Sequence, residues 1–262
     1  MSKIRRIRMF PALMLIFLCI VGLGSTQSGS TQNRFDPPCT SLHLLCPSHL
    51  VSGSDPITLR GDVLGAKDIL GIEGARRVSY AWQVSGAKII GGQGTSEIVI
   101  KPTRDKQDEE SCIKVTLQVK GVPPTCESVK SCTLRVNYKC APPLRFDDEY
   151  QVASLQAEQV HLDKIAHSLN ERGSDSILYL VAYAGRSACI SESQWRVARA
   201  KKYLIEEKRI HEDRIVAVDG GFRESFAIEL FVLPENGCGP LPTPTVRAAD
   251  VTITGLCARK YN

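Results

Sequence analysis

The chain has 262 residues, with 33 Lys and Arg against 28 Asp and Glu, for a formal charge of +5. Four of the cations, Lys3, Arg5, Arg6 and Arg8, stand in the first eight residues, and residues 1–24 hold no acid. Once that segment is removed the charge is +1 (five less those four), so no basic footprint for nucleic acid is left, and no Lys/Arg run with interleaved aromatics occurs elsewhere.

The cations run into the apolar stretch Met9 to Val21, followed by small residues at Gly22 and Gly24. A charged start, a short apolar core and small residues at the end form a signal peptide, with cleavage expected after Gly24. Thirteen apolar residues fall short of the roughly 20 that a membrane-crossing helix needs, so no transmembrane span is expected in the mature chain. Leu18 before Cys19 is not the small residue a lipidation signal carries. Residues 25–37 are polar and read as a flexible leader.

Residues 38–140 show short period-two runs broken by Gly and Pro: Ile57–Val63, Val78–Val84, Glu97–Ile100, Cys112–Val119 and Cys132–Val136. Such runs with no helical period predict an antiparallel β-sandwich, with Trp82 anchoring its core. Gly91-Gly-Gln-Gly-Thr-Ser96 has the look of a phosphate cradle, but a strand follows where a cradle needs a helix, so it reads as a turn. Ala141-Pro-Pro143 marks a linker. Residues 144–234 then alternate: a strand at Leu144–Phe146, a helix from Ser154 to Asn170, a buried strand at Ser176–Tyr183 and a helix from Ser191 to about Lys208. Strands at Arg214–Val218 and Phe226–Val232 complete a β-α-β-α-β-β order. Residues 235–262 form a Pro/Gly-rich tail, able to lend an edge strand through Val251–Thr254 or to be stapled through Cys238 and Cys257.

Nine of the ten cysteines lie beyond the signal segment. No CxxC pair exists, and His43, His49, His161, His167 and His211 are not spaced with the cysteines as zinc ligands, so disulfides are expected in place of a metal site. The odd count leaves one thiol free or paired with another chain. Cys126 and Cys132 flank a short loop that they either close or leave for other partners.

Two stretches carry family resemblances. Tyr80 to Ile100 resembles bacterial Ig-like and PKD-like modules, which implies a spacer or adhesive platform. Phe146-Asp147, the strand Ile177–Tyr183, Val197-Ala-Arg-Ala-Lys-Lys-Tyr-Leu204 and Ile210–Val216 are together similar to the OmpA-like C-terminal domain. That resemblance implies contact with peptidoglycan, where a strand-end aspartate and a helix arginine grip the diaminopimelate of the stem peptide. Arg199 matches the arginine. The aspartate has no counterpart, and Arg186 stands near its place; the Asn-Arg-Arg common before the last strand is Arg223-Glu-Ser225 here. As a plain structural residue, Arg199 would pair with a neighbouring acid such as Asp219 or Glu229.

No GxSxG, HExxH, SxxK or Walker motif is present, and no cofactor site is expected. Asp147-Asp148-Glu149 reads as a solvated charge run, and His161 and His167 point to different sides of their helix. The expectation is therefore an Ig-like/PKD-like sandwich followed by an OmpA-like α/β domain, acting without catalysis in the periplasm, at the outer membrane or on the cell surface. Its partner is peptidoglycan, held through a site lacking its acid; the alternative is an adhesive or structural scaffold without cell-wall affinity, joined to other envelope proteins by contact or by disulfide.

Overall fold

A computed structural model describes residues 41–103, 109–140, 147–151 and 154–257. The signal segment with its cleavage point, the leader, Cys19, Cys39 and the strand expected at 144–146 lie outside these residues. In chain order the strands are β1 (Ser41–Leu45), β2 (Leu50–Ser52), β3 (Ile57–Leu64), β4 (Ser79–Ser85), β5 (Ala87–Gly91), β6 (Glu97–Pro102), β7 (Glu110–Lys120) and β8 (Val129–Asn137). They continue with β9 (Asp148–Tyr150), β10 (Ser176–Ala184), β11 (Ser187–Ile190), β12 (Ile215–Phe222), β13 (Ala227–Pro234) and β14 (Thr252–Leu256). The helices are α1 (Ala66–Arg76), α2 (Leu155–Glu171) and α3 (Glu192–Glu206).

Period-two alternation sorts the first half into two layers. The first sheet runs β1-β3-β6-β5 and the second β2-β8-β7-β4. Leu42, Ile57, Leu59, Ile98 and Ile100 point inward from the first, against Trp82, Ile113, Val115, Leu117 and Leu134 from the second. Trp82 is buried and donates from Nε1 to the Thr95 carbonyl at 2.8 Å, so it does anchor this core. Gly61 sits where a Cβ would come within 2.3 Å of Leu117 and 3.0 Å of Trp82, which is why a strand otherwise suited to β-branched residues carries a glycine. The Gly91–Ser96 segment is a turn: the backbone of Gly92 is left-handed, and a Cβ there would stand 2.0 Å from the Glu97 carbonyl. Its Gln93 amide both accepts from the Trp82 N–H (3.1 Å) and donates to the Trp82 carbonyl (2.9 Å). It thereby occupies the free edge of β4, where an unpaired strand would recruit another chain.

In the second half a sheet of order β12-β10-β13-β9 has β10 and β12 parallel and β10 and β13 antiparallel. The apolar stripes of α2 (Leu162, Ile165, Leu169) and α3 (Val197, Ala200, Leu204) cover one face. Ser154 caps α2, accepting from the Ala157 N–H at 3.3 Å. The opposite face buries Tyr179, Val181, Tyr183 and Phe231. A fourth sheet pairs β11 with β14 in parallel.

The expected arrangement, an Ig-like/PKD-like sandwich and then an OmpA-like α/β domain, does not hold. The protein is mostly β, 45% strand against 24% helix, with four sheets and three helices among the described residues. What breaks the two-block order is the tail, which returns across the first sheet and closes the described residues into one compact unit. That return is a long-range pairing fixed by covalent staples, and periodicity along the chain carries no trace of it. Helix α1 is also unexpected; three glycines in and beside it (Gly65, Gly71, Gly74) interrupt its period.

Disulfides join Cys46 to Cys132, Cys140 to Cys238 and Cys189 to Cys257, which marks an oxidising, exported environment. Cys132 thus does not close a loop with Cys126. Cys112 and Cys126 are also disulfide-bonded, and no cysteine is free among the described residues. No helix among those residues is long and apolar enough to cross a membrane.

Candidate functional site

Along β3 the odd residues enter the core between the two sheets, so Thr58, Arg60, Asp62 and Leu64 face outward. Antiparallel register sets His43 of β1 opposite Asp62 and Leu45 opposite Arg60, while Glu97 of β6 lies opposite Arg60 on the other side. Across this face runs the segment 239–250. Pro240, Pro242 and Pro244 cannot donate to a ladder, so the segment crosses as an extended strap, tied at separate points. Gly239 donates to the Leu50 carbonyl (2.8 Å), Thr245 and Val246 to that of Phe222 (3.0 Å each), and Gly65 to that of Ala248 (3.1 Å).

Between strap and sheet opens a cleft of about 320 Å³, with His43, Arg60 and Asp62 on the sheet side and Phe222, Val246 and Arg247 across from them. Asp62, its side chain 5% exposed, accepts from Arg247 Nε (3.1 Å) and Nη2 (2.8 Å), from the Val63 N–H (2.9 Å) and from the Tyr80 hydroxyl. Burial first, and then the neighbouring Asp62 carboxylate, push the Tyr80 hydroxyl well above the usual phenol range. Arg60 donates from Nε to Glu97 (2.5 Å) and from Nη1 to the Pro244 carbonyl (2.8 Å). Two guanidiniums therefore stand over a mixed apolar and polar hollow, each with part of its fork turned to acceptors of the fold.

At one end of the cleft His43 Nε2 donates to Asp219 at 3.3 Å, and its ring lies 5.3 Å from that of Phe222. Asp219 also accepts from Gln194 Nε2 (3.2 Å), Ser193 Oγ (3.5 Å) and the Gly221 N–H (3.0 Å). Burial alone raises its carboxyl pKa, but His43 and these donors outweigh it and hold the group below the usual carboxylate range. Serine, histidine and aspartate meet here in the wrong order for acyl transfer. A serine nucleophile needs an imidazole on its hydroxyl, whereas Asp219 stands between Ser193 and His43.

The two residues expected from the sequence lie elsewhere and are not brought together by any shared partner. Arg199 of α3 reaches neither Asp219 nor Glu229: its Nη2 is 2.5 Å from Glu158 of α2, whose side chain is fully buried. Tyr150 donates to the other oxygen of Glu158 at 2.8 Å, and the Trp195 ring centroid is 5.1 Å from the guanidinium. Arg186, after β10, makes a two-pronged pair with Glu224 at 2.7 and 2.6 Å on an exposed turn. Glu229 serves Tyr183 (2.7 Å) and Arg223 (2.5 Å). The acids 147–149 are not a solvated run either. Asp147 accepts from the Val232 N–H (2.8 Å) and from Arg172, and Asp148 is paired with His161 at 3.0 Å.

Sequence reasoning passed over Arg60, Asp62 and Arg247. In period-two logic the first two are the solvent side of a strand, and Arg247 is one cation in a Pro-rich tail. The only signal was the tail itself, a run of prolines between Cys238 and Cys257. No protein-family model matches the chain, and no curated protein matches it either.

Proposed function

We infer that the chain is a non-catalytic, exported binding protein of the cell envelope, and that it binds through the cleft under the strap. The observation that carries this reading is the contrast between its arginines. Arg247 is 57% exposed above its buried acid, so its outer face meets incoming acceptors at little desolvation cost. Arg199 is 13% exposed and holds a carboxylate with no exposure at all. A ligand that took Arg199 would strand Glu158 as a buried, unpaired charge, a loss of several kcal/mol. The placement of Arg199 and Arg186 therefore lends no support to a peptidoglycan clamp. It favours the alternative of a disulfide-held scaffold that contacts other envelope components. The order of Ser193, Asp219 and His43 supports the absence of catalysis.

Co-sedimentation of the purified chain with peptidoglycan sacculi and, separately, with outer-membrane vesicles tests this. Wild type is expected to pellet with the vesicles, Arg60→Glu to lose at least five-fold, and Arg199→Lys to pellet as wild type. If the wild type stays in solution with both fractions, or if Arg199→Lys abolishes pelleting and Arg60→Glu does not, the reading fails.

A further inference from the structure

The cleft is the middle of something longer. A hollow of about 390 Å³ adjoins it on one side and shares Leu45, Arg60, Pro244 and Thr245 with it, its own walls being Pro47, Pro56, Leu241 and Pro242. On the other side a second hollow of about 390 Å³ shares Arg247 and is walled by Lys67, Ile72, Arg76 and Asp250. All three follow β3 and its continuation into α1. From Thr58 to Asp62 there are four steps of ~3.3 Å, so the strand-lined part alone is about 13 Å long.

Charge and apolarity are distributed unevenly along this trough. In two of the ion pairs along it the cation is the more exposed partner, while Arg60 and Glu97 are exposed about equally, at 39% and 46%. Arg247 covers the buried Asp62, and Lys67, 53% exposed, pairs at 2.8 Å with Asp250, which is 26% exposed. Arg76 is exposed beside them, paired at 2.9 Å with the equally exposed Glu73. At the two ends stand large apolar side chains open to solvent, Leu241 and Ile72. Arginine forks suit carboxylates, and exposed apolar side chains in a concave wall mark a binding surface.

We propose that the trough takes an extended polypeptide segment with acidic residues in its middle and an apolar residue towards each end. This rests on the cleft being the binding site. A glycan fits less well: a sugar-binding groove offers Trp, Tyr or Phe faces, and Phe222, the one such ring in the trough walls among the described residues, is engaged by the His43 ring. Acidic peptides are met by arginine clusters elsewhere in protein recognition, and a trough preformed by staples at both ends of the strap avoids the ordering cost that weakens flexible sites.

The test is selection from a random nonapeptide phage library on the whole mature chain, followed by titration of the selected peptides against wild type, Lys67→Glu, Arg76→Glu and Leu241→Asp. All three positions are exposed, so folding is retained and is checked by thermal melting. Selected peptides should carry central Asp or Glu and apolar ends, and should lose tenfold or more in affinity on each variant and in high salt. The proposal falls if the selected peptides lack acids, if they bind the variants as tightly as wild type, or if no peptide is selected. Tight binding of polygalacturonate without any peptide also overturns it, in favour of an acidic glycan. Vesicle pelleting that is lost in Arg60→Glu, with no acidic peptide selected, leaves the cleft as the binding site and removes only the peptide; loss of both removes the site itself.

Discussion

Acid should loosen the strap before it unfolds anything else, through His49. The imidazole is buried, 8% exposed, edge-on to Tyr179 at a ring separation of 5.3 Å, with Nε2 donating to the Pro240 carbonyl at 2.9 Å. Gly239 packs so closely that a Cβ there would lie 2.2 Å from the ring. Burial lowers the pKa from 6.5 to about 4, against smaller raising contributions from the Pro240 and Gly239 backbone. Unfolded, the group takes its proton near 6.5; folded, it resists until about 4. Between those values the unfolded state binds more protons, so stability is complete above pH 6.5 and is lost as pH falls towards 4. At 1.36 kcal/mol per pH unit the loss comes to about 3 kcal/mol. Urea denaturation at half-unit steps from pH 7.5 to 4 should show this slope in the wild type and a flatter curve in His49→Gln, which keeps a donor for Pro240 but does not titrate. Hydrogen exchange should place the first opening at residues 239–250. Equal slopes in the two proteins, or a flat wild-type curve, would refute the argument. Asp148 and Asp219 are held below the usual carboxylate range, so their contribution is lost only at lower pH.

Three further outcomes follow from packing and connectivity. Replacing both Cys189 and Cys257 by Ala opens a loop of 68 residues and should cost about 4 kcal/mol in urea, with β14 exchanging first; unchanged stability would mean the β11–β14 pairing holds the tail unaided. Gly61→Ala drives a methyl into Leu117 and Trp82 and should cost about 1–3 kcal/mol, read as a lowered Tm; a neutral result would show that the two layers can part at no cost. Arg199→Ala should destabilise by about 3–5 kcal/mol because Glu158 is left charged and buried, and the double variant Arg199→Met/Glu158→Leu should recover most of that loss. Failure of the double variant to recover would assign Arg199 a role beyond pairing.

The parts of this fold legible in the sequence were those built from local rules. Each period-two run in residues 57–136 falls on a strand, Val78 alone lying one residue before β4, because alternation reports directly on which side chains two facing sheets bury. Ser154 and the stripe from Leu162 to Leu169 give α2 its start and its inner face, and the apolar run from Ile177 is a strand buried on both faces. Partners across the chain were not legible. Arg199 on its helix presents a cation, and nothing local distinguishes Glu158, 41 positions earlier, from Asp219 or Glu229 as its acid. Likewise, Cys140 and Cys238 are 98 residues apart, and with nine exported cysteines the pairing is open. Since the strap exists only through such pairings, the cleft beneath it was invisible: Arg60 and Asp62 look like solvent-facing residues until a proline run from the far end of the chain covers them.

What the partner acid keeps when its arginine turns away is what sets Arg199 apart from Arg60 and Arg247. A binding cation has to exchange acceptors, so the acceptor it leaves must stay solvated or keep other donors. Among the described residues Glu158 keeps only the Tyr150 hydroxyl if Arg199 departs, and the cost of a buried charge without a counter-ion exceeds what a surface contact returns. Asp62 keeps the Tyr80 hydroxyl and the Val63 N–H if Arg247 swings outward, and Glu97, 46% exposed, keeps water if Arg60 does. On the proposed reading, the cleft is thus where a carboxylate from outside would be taken up without dismantling what lies beneath, with the strap, tied through Phe222, Leu50 and Gly65, holding both guanidiniums in reach.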